Sequence, residues 1–188
     1  MFAFVDDGGP AGDPDNWDTA LDWNTVTHVI RNTHHPLVVT ANGAVVNHDP
    51  LWPTSGGDSM LCAAHAHGVR VLADVEPLGV ADVRAEMAQM LTNASAVRRA
   101  AREIAEWVHA GGYDGVSLDW EGLNDGSWSI ASERAVGEGL VALVAATRRA
   151  LRATNPASEV SLCVATQNNP WFNSSYRLGA LAEEVSQY

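Results

Sequence analysis

The chain alternates short apolar runs with longer stretches in which apolar positions recur every three or four residues. Phe2–Val5 is an apolar run ended by Asp6-Asp7-Gly8-Gly9. Val26–Ile30 is a second strand candidate, and Leu37–Val46 is rich in β-branched residues around Asn42-Gly43, a hairpin signal. Val69–Asp74 predicts another strand, preceded by a helix over Asp58–His67 that stops at Gly68. Val97, Ala101, Ile104 and Val108 place a helix over Ser95–Ala110, closed by Gly111-Gly112. Gly115–Glu121 reads as a strand. Val136, Leu140, Val144 and Leu151 mark a helix that must end before Asn155-Pro156, because the residue preceding a proline is pushed out of helical conformation. Glu159–Ala165 is a further strand, and Leu178–Val185 opens a last helix.

Strand–helix alternation of this kind argues for a parallel sheet covered by helices. A doubly wound open sheet and a (β/α)8 barrel both fit the order. No glycine-rich phosphate-binding turn follows Phe2–Val5, which removes the usual nucleotide-binding open sheet. Only about five strand–helix units are visible, whereas a full barrel takes about 250 residues. The expected fold is therefore α/β, a partial (β/α)8 TIM barrel holding roughly the first five units.

Composition narrows the partners. At 188 residues the chain suits one domain spanning 1–188, and 46% hydrophobic with 18% charged residues is ordinary globular composition. The charge sum is 11 − 23 = −12. A surface that acidic repels phosphate backbones and anionic lipid, so neither nucleic acid nor a membrane is an expected partner. No apolar run approaches the roughly 18 residues that a membrane-spanning helix needs. The first residues lack the basic region and long apolar core of a signal peptide. Cys62 and Cys163 have neither metal-ligand nor redox spacing.

The candidate chemistry lies in Gly112-Tyr-Asp-Gly-Val-Ser-Leu-Asp-Trp-Glu-Gly122. On a strand, Gly115, Ser117, Asp119 and Glu121 share one face and Val116, Leu118 and Trp120 the other. Strands of parallel α/β folds are normally apolar on both faces. A face carrying a hydroxyl and two carboxylates makes sense if it looks into a barrel lumen that opens at the strand's C-terminal end, where barrel enzymes place catalysis. Neighbouring carboxylates disfavour double ionisation, so one keeps a proton near neutral pH, as a general acid requires. The simpler reading, a strand entering a loop, fits any Asp-x-Glu. The longer Asp-Gly-x-x-x-Asp-x-Glu pattern after a helix-stopping Gly-Gly favours a site. Trp120, on the opposite face, is expected to pack.

Asp114-Gly-Val-Ser-Leu-Asp-Trp-Glu121 resembles the Asp-x-x-Asp-x-Asp-x-Glu signature that family-18 glycoside hydrolases carry on their fourth barrel strand. The flanking segments Leu21–Val29, Met60–Leu72 and Asn173–Tyr176 resemble, in order, those of the chitobiase-like members of that family. The resemblance implies a glycosidase for β-linked N-acetylglucosamine, in chitobiose, chitin oligomers or an N-glycan core. It implies Glu121 as acid/base and Asp119 as the group that orients the substrate's own acetamide. That acetamide oxygen is then the nucleophile, giving an oxazolinium intermediate and retention, the substrate-assisted exception to the two-carboxylate scheme. Asp114, of opposite parity, is expected to be structural at the lower end of the strand. Ser117 stands where the signature has its middle Asp, and is expected to donate a hydrogen bond to Asp119 without holding a charge. The family's Met-x-Tyr-Asp motif would fall beyond Tyr188, so the sequence reads as a C-terminally incomplete domain lacking part of its site, with activity not expected of this piece by itself. No metal or organic cofactor is implied, the expected partner is an N-acetylglucosamine oligosaccharide, a monomer is expected, and a lysosomal or secreted location follows from the resemblance alone. The rival from another class is an inactive, lectin-like carbohydrate-binding barrel; such relatives usually lose the signature Glu, which is present here.

Other residues carry weaker expectations. Asp74 and Glu76 end the third strand and could line the mouth toward substrate. Gln167, Asn168 and Trp171 follow the fifth strand, where a sugar could meet a hydrogen-bonding rim and a stacking ring. His34-His35 and His65-x-His67 lack a third ligand at metal spacing and read as loop and helix-end histidines. Asn93-Ala-Ser95 and Asn173-Ser-Ser175 fit the glycosylation sequon, a pattern frequent by chance.

Overall fold

A computed structural model of the chain describes residues 1–5, 17, 21–31, 37–47, 58–77, 83–120, 130–164 and 176–185. The elements are β1 (Phe2–Val5), β2 (His28–Arg31), β3 (Leu37–Val39), β4 (Val45–Asn47), α1 (Asp58–Ala66), β5 (Arg70–Pro77), α2 (Val83–Leu91), α3 (Ala94–Ala110), β6 (Gly115–Asp119), α4 (Ile130–Thr154), β7 (Glu159–Cys163) and α5 (Leu178–Leu181). The hairpin expected at Asn42-Gly43 is β3–β4, with Gly43 at φ 78°, a value that favours glycine. The sequence reading did not include α2, although Val83, Met87, Met90 and Leu91 recur at helical spacing.

The sheet is parallel apart from that hairpin. β1 pairs with β2, β2 with β5, β5 with β6 and β6 with β7. β3 pairs with β5 at Val75–Pro77, beyond the Arg70–Ala73 stretch that β2 occupies. Since β6 overlaps both stretches, β2 and β3 must follow one another along one edge of β5 while β6 takes the other. The strands thus lie side by side in chain order, with described helices after β4, β5 and β6, as in the staves of a barrel, and β6 is the fourth stave.

The pairing register assigns every strand residue to a face. Val29, Val71, Ala73, Val75, Val116, Leu118, Val160 and Leu162 point to the helices and join one core with Ile104 and Val108 of α3 and Leu140 and Val144 of α4. Each such buried Val, Leu or Ile side chain contributes about 1.5–3 kcal/mol of transfer free energy. Asn93 caps α3, its Oδ1 accepting from the amides of Ser95 and Ala96 at 3.0 and 3.3 Å, so this sequon asparagine has a structural task. At Gly115 a Cβ would run into the main chain of Glu159 on β7, which explains a glycine at the start of the signature strand.

Candidate active site

The opposite face of the same strands is the lumen side. Phe2, His28, Arg70 and Glu159 are the first residues of their strands and meet at the N-terminal end. Arg70 Nη1 lies 2.6 Å from Glu159 Oε1, and His28 Nε2 lies 3.0 Å from Glu159 Oε2. Phe2 stacks on the His28 ring, with centroids 4.6 Å apart. Just before β6, Asp114 Oδ2 accepts the Val71 amide at 2.8 Å and lies 2.8 Å from His65 Nε2, while its own amide and carbonyl bond Val71 and Glu159. Asp114 therefore ties three staves together at the foot of the sheet, far from the strand's C-terminal end.

At that C-terminal end the lumen side turns acidic. Asp74 on β5 is the register partner of Ser117 on β6, and Ser117 is in turn the partner of Ser161 on β7. Pairing between β5 and β6 ends at Val75 and Leu118, so Glu76 and Asp119 are the next residues on each strand, on the same side as Asp74 and Ser117. One carboxylate oxygen from each of Asp74, Glu76 and Asp119 lies within 4.8 Å of the other two. Among the described residues this is the one group of acidic, histidine or cysteine side chains close enough to share a cation. Asp74 has no solvent exposure, and no donor meets either of its carboxylate oxygens in hydrogen-bonding geometry. Burial, then the charges of Asp119 and Glu76, push its carboxyl up to about 8; a hydrogen bond to Glu76 acts the same way and the Val75 amide acts weakly against them. The contact between Asp74 and Glu76 becomes a hydrogen bond only when one of the two carries a proton.

Several expectations change. The hydrogen bond expected from Ser117 to Asp119 is not made. Ser117 Oγ instead lies 3.7 Å from Cys163 Sγ on β7. Asp74, read as lining the mouth or else a solvated loop, is fully buried, one layer beneath Glu76 and Asp119. Trp120 is buried in the helix-side core, where its carbonyl accepts the Tyr176 hydroxyl at 2.9 Å. His65 serves Asp114, and His67 stacks on Trp23. Glu121, Gln167, Asn168 and Trp171 lie outside the described residues, as do His34, His35 and Asn173. Ser161 and Cys163 join the lumen side unannounced; the polar–apolar alternation of Glu159-Val-Ser-Leu-Cys163, the same signal as on β6, already carried them.

The three carboxylates come from the C-terminal ends of the third and fourth staves, β5 and β6, and solved structures share this parallel stave sheet. The chain matches a Group II chitinase catalytic domain from Ostrinia furnacalis with TM-score 0.72 and 18% identity over 98% of this chain and 48% of that one. It matches a GH18 chitinase from Cycas revoluta, solved with (GlcNAc)3, with TM-score 0.71 and 17% identity over 98% and 52%. A chitinase from Chromobacterium violaceum gives TM-score 0.66 and 17% identity over 98% and 53%. The chain thus has the fold of part of a chitinase-type TIM barrel and spans about half the length of these structures. No family model and no curated protein matches its sequence.

Proposed function

We propose that this chain supplies the acid-bearing part of a glycoside hydrolase cleft that acts on β-linked N-acetylglucosamine. The observation that carries the reading is Asp119, at the C-terminal end of the fourth stave and against two further carboxylates, with Glu121 two residues on. The likeness of the fold to chitinases, one of them holding an N-acetylglucosamine trimer, supports the same substrate class. In this reading Glu121 protonates the glycosidic oxygen and Asp119 holds the substrate acetamide, whose oxygen attacks the anomeric carbon to give an oxazolinium and then a retained product. Gln167, Asn168 and Trp171 are the proposed sugar-binding residues. A chitobiase-like preference for short oligomers or an N-glycan core, and a lysosomal or secreted setting, belong to the same proposal.

The test is hydrolysis of a fluorogenic chitobioside by the natural protein that carries this chain, with binding of an N-acetylglucosamine trimer measured in parallel. Glu121→Gln should lower turnover by about 10²–10⁴ while leaving binding in place. Binding without any turnover in the unmodified protein establishes the lectin-like alternative, and absence of both refutes the reading.

A further inference from the structure

The fully buried Asp74 is the group that neither packing nor the proposed chemistry uses. It lies on β5, its partner across the ladder is Ser117, and it faces Asp119 one layer above. Among the described residues, the charged groups against it are Glu76 on its own strand and Asp119 on β6, with Arg70, His28 and Glu159 at the far end of the same face. β2 and β3 offer Ile30 and Val38 on that side, and β7 offers Ser161 and Cys163. Arg70, four residues earlier on β5, is engaged with Glu159. Three carboxylates crowded to this degree, one of them excluded from water, do not all stay ionised.

We propose that Asp74 is a positioning residue that carries a proton into the acidic cluster and, by hydrogen bonding, keeps the reactive carboxylate of Asp119 ionised and oriented. The neutral Asp74 carboxyl donates; Asp119 and Glu76 accept. On the side of Asp119 toward the foot of its own strand stands a serine, Ser117, turned toward Cys163. Asp74 occupies the position directly across the ladder from that serine and supplies the carboxyl laterally, from the neighbouring stave. Its burial and its shift to about 8 fit a group that is neutral throughout the pH range in which such a site would work. The protonation itself is independent of the glycosidase reading; only its consequence for hydrolysis rests on it.

The experiment has two arms. In the first, the chain is prepared with 13C-labelled aspartate carboxyls and titrated by NMR. One aspartate should titrate near pH 8, disappear in Asp74→Asn, and move toward the ordinary range in Asp119→Asn, which removes one of the charges that raise it. If every aspartate carboxyl titrates near the ordinary value of about 4, the proposal is wrong. If added calcium abolishes the high titration at micromolar concentration, the cluster is a cation site and the proposal is equally overturned. In the second arm, the pH profile of chitobioside hydrolysis is compared between variants of the natural protein. Asp74→Asn, an amide that still donates, should retain the acidic part of the profile and lose the decline above pH 8, whereas Asp74→Ala should lose activity across the range. Equal profiles for Asn, Ala and the unmodified protein would contradict the positioning role. Loss of all hydrolysis in the unmodified protein, with the titration intact, strikes the glycosidase reading and leaves the shared proton standing.

Discussion

The two ends of one lumen face are built on opposite principles. At the N-terminal ends of the strands each acidic group has its counterpart: Glu159 lies between Arg70 and His28, and Asp114 meets His65 and the Val71 amide. At the C-terminal ends Asp74, Glu76 and Asp119 gather oxygens within 4.8 Å of one another, and Asp74 is buried there with no cation and no well-aligned donor against it. The first arrangement lowers the cost of burying polar groups. The second raises it, and folds accept such a cost where chemistry needs it. The division matches the general one for α/β barrels, in which the lower face serves stability and the upper face catalysis.

Substitutions separate the two ends. The largest expected effect, if the proposed hydrolase reading holds, is the loss of turnover in Glu121→Gln, by about 10²–10⁴, with the unfolding midpoint unchanged. Next is a gain: Asp74→Asn should stabilise the chain by roughly 2–4 kcal/mol at pH 8, read by urea unfolding. At the other end the sign reverses. Asp114→Ala strands the Val71 amide and the His65 partner and should cost about 1–3 kcal/mol in the same measurement. Glu159→Gln keeps an acceptor for Arg70 but gives up the charge, at a half-exposed pair, and should cost about 1 kcal/mol or less, a loss that added salt makes smaller still. A stabilising Asp114→Ala or a destabilising Asp74→Asn would erase the contrast.

Much of this was legible in the sequence, for one physical reason: strand side chains alternate with period two. That rule alone put Ser117 and Asp119 on one face of β6 and Val116, Leu118 and Trp120 on the other, and the structure keeps both sets apart. It also made the partial barrel readable from strand–helix alternation. What it does not carry is register between strands. That Asp74 sits across from Ser117, and that Ser117 turns to Cys163, depends on how β5, β6 and β7 slide past one another, a tertiary property set by packing against α3 and α4. The hydrogen bond expected between Ser117 and Asp119 gave way to the contact with Cys163 across the ladder, and α2 was overlooked although Val83, Met87, Met90 and Leu91 keep a helical spacing.

Stability against pH tests the contrast most directly. The Asp74 carboxyl has an ordinary value of 3.8 in the unfolded chain and about 8 in the folded one. Between those values the folded protein holds a proton that the unfolded chain releases, so the stability this group contributes is full below about pH 4 and falls as pH rises to about 8. Urea unfolding of the unmodified chain and of Asp74→Asn should therefore give curves that agree near pH 4 and diverge steadily, with the variant the more stable, until about pH 8, where the gap levels off. A gap independent of pH, or a variant that is less stable throughout, would contradict the account.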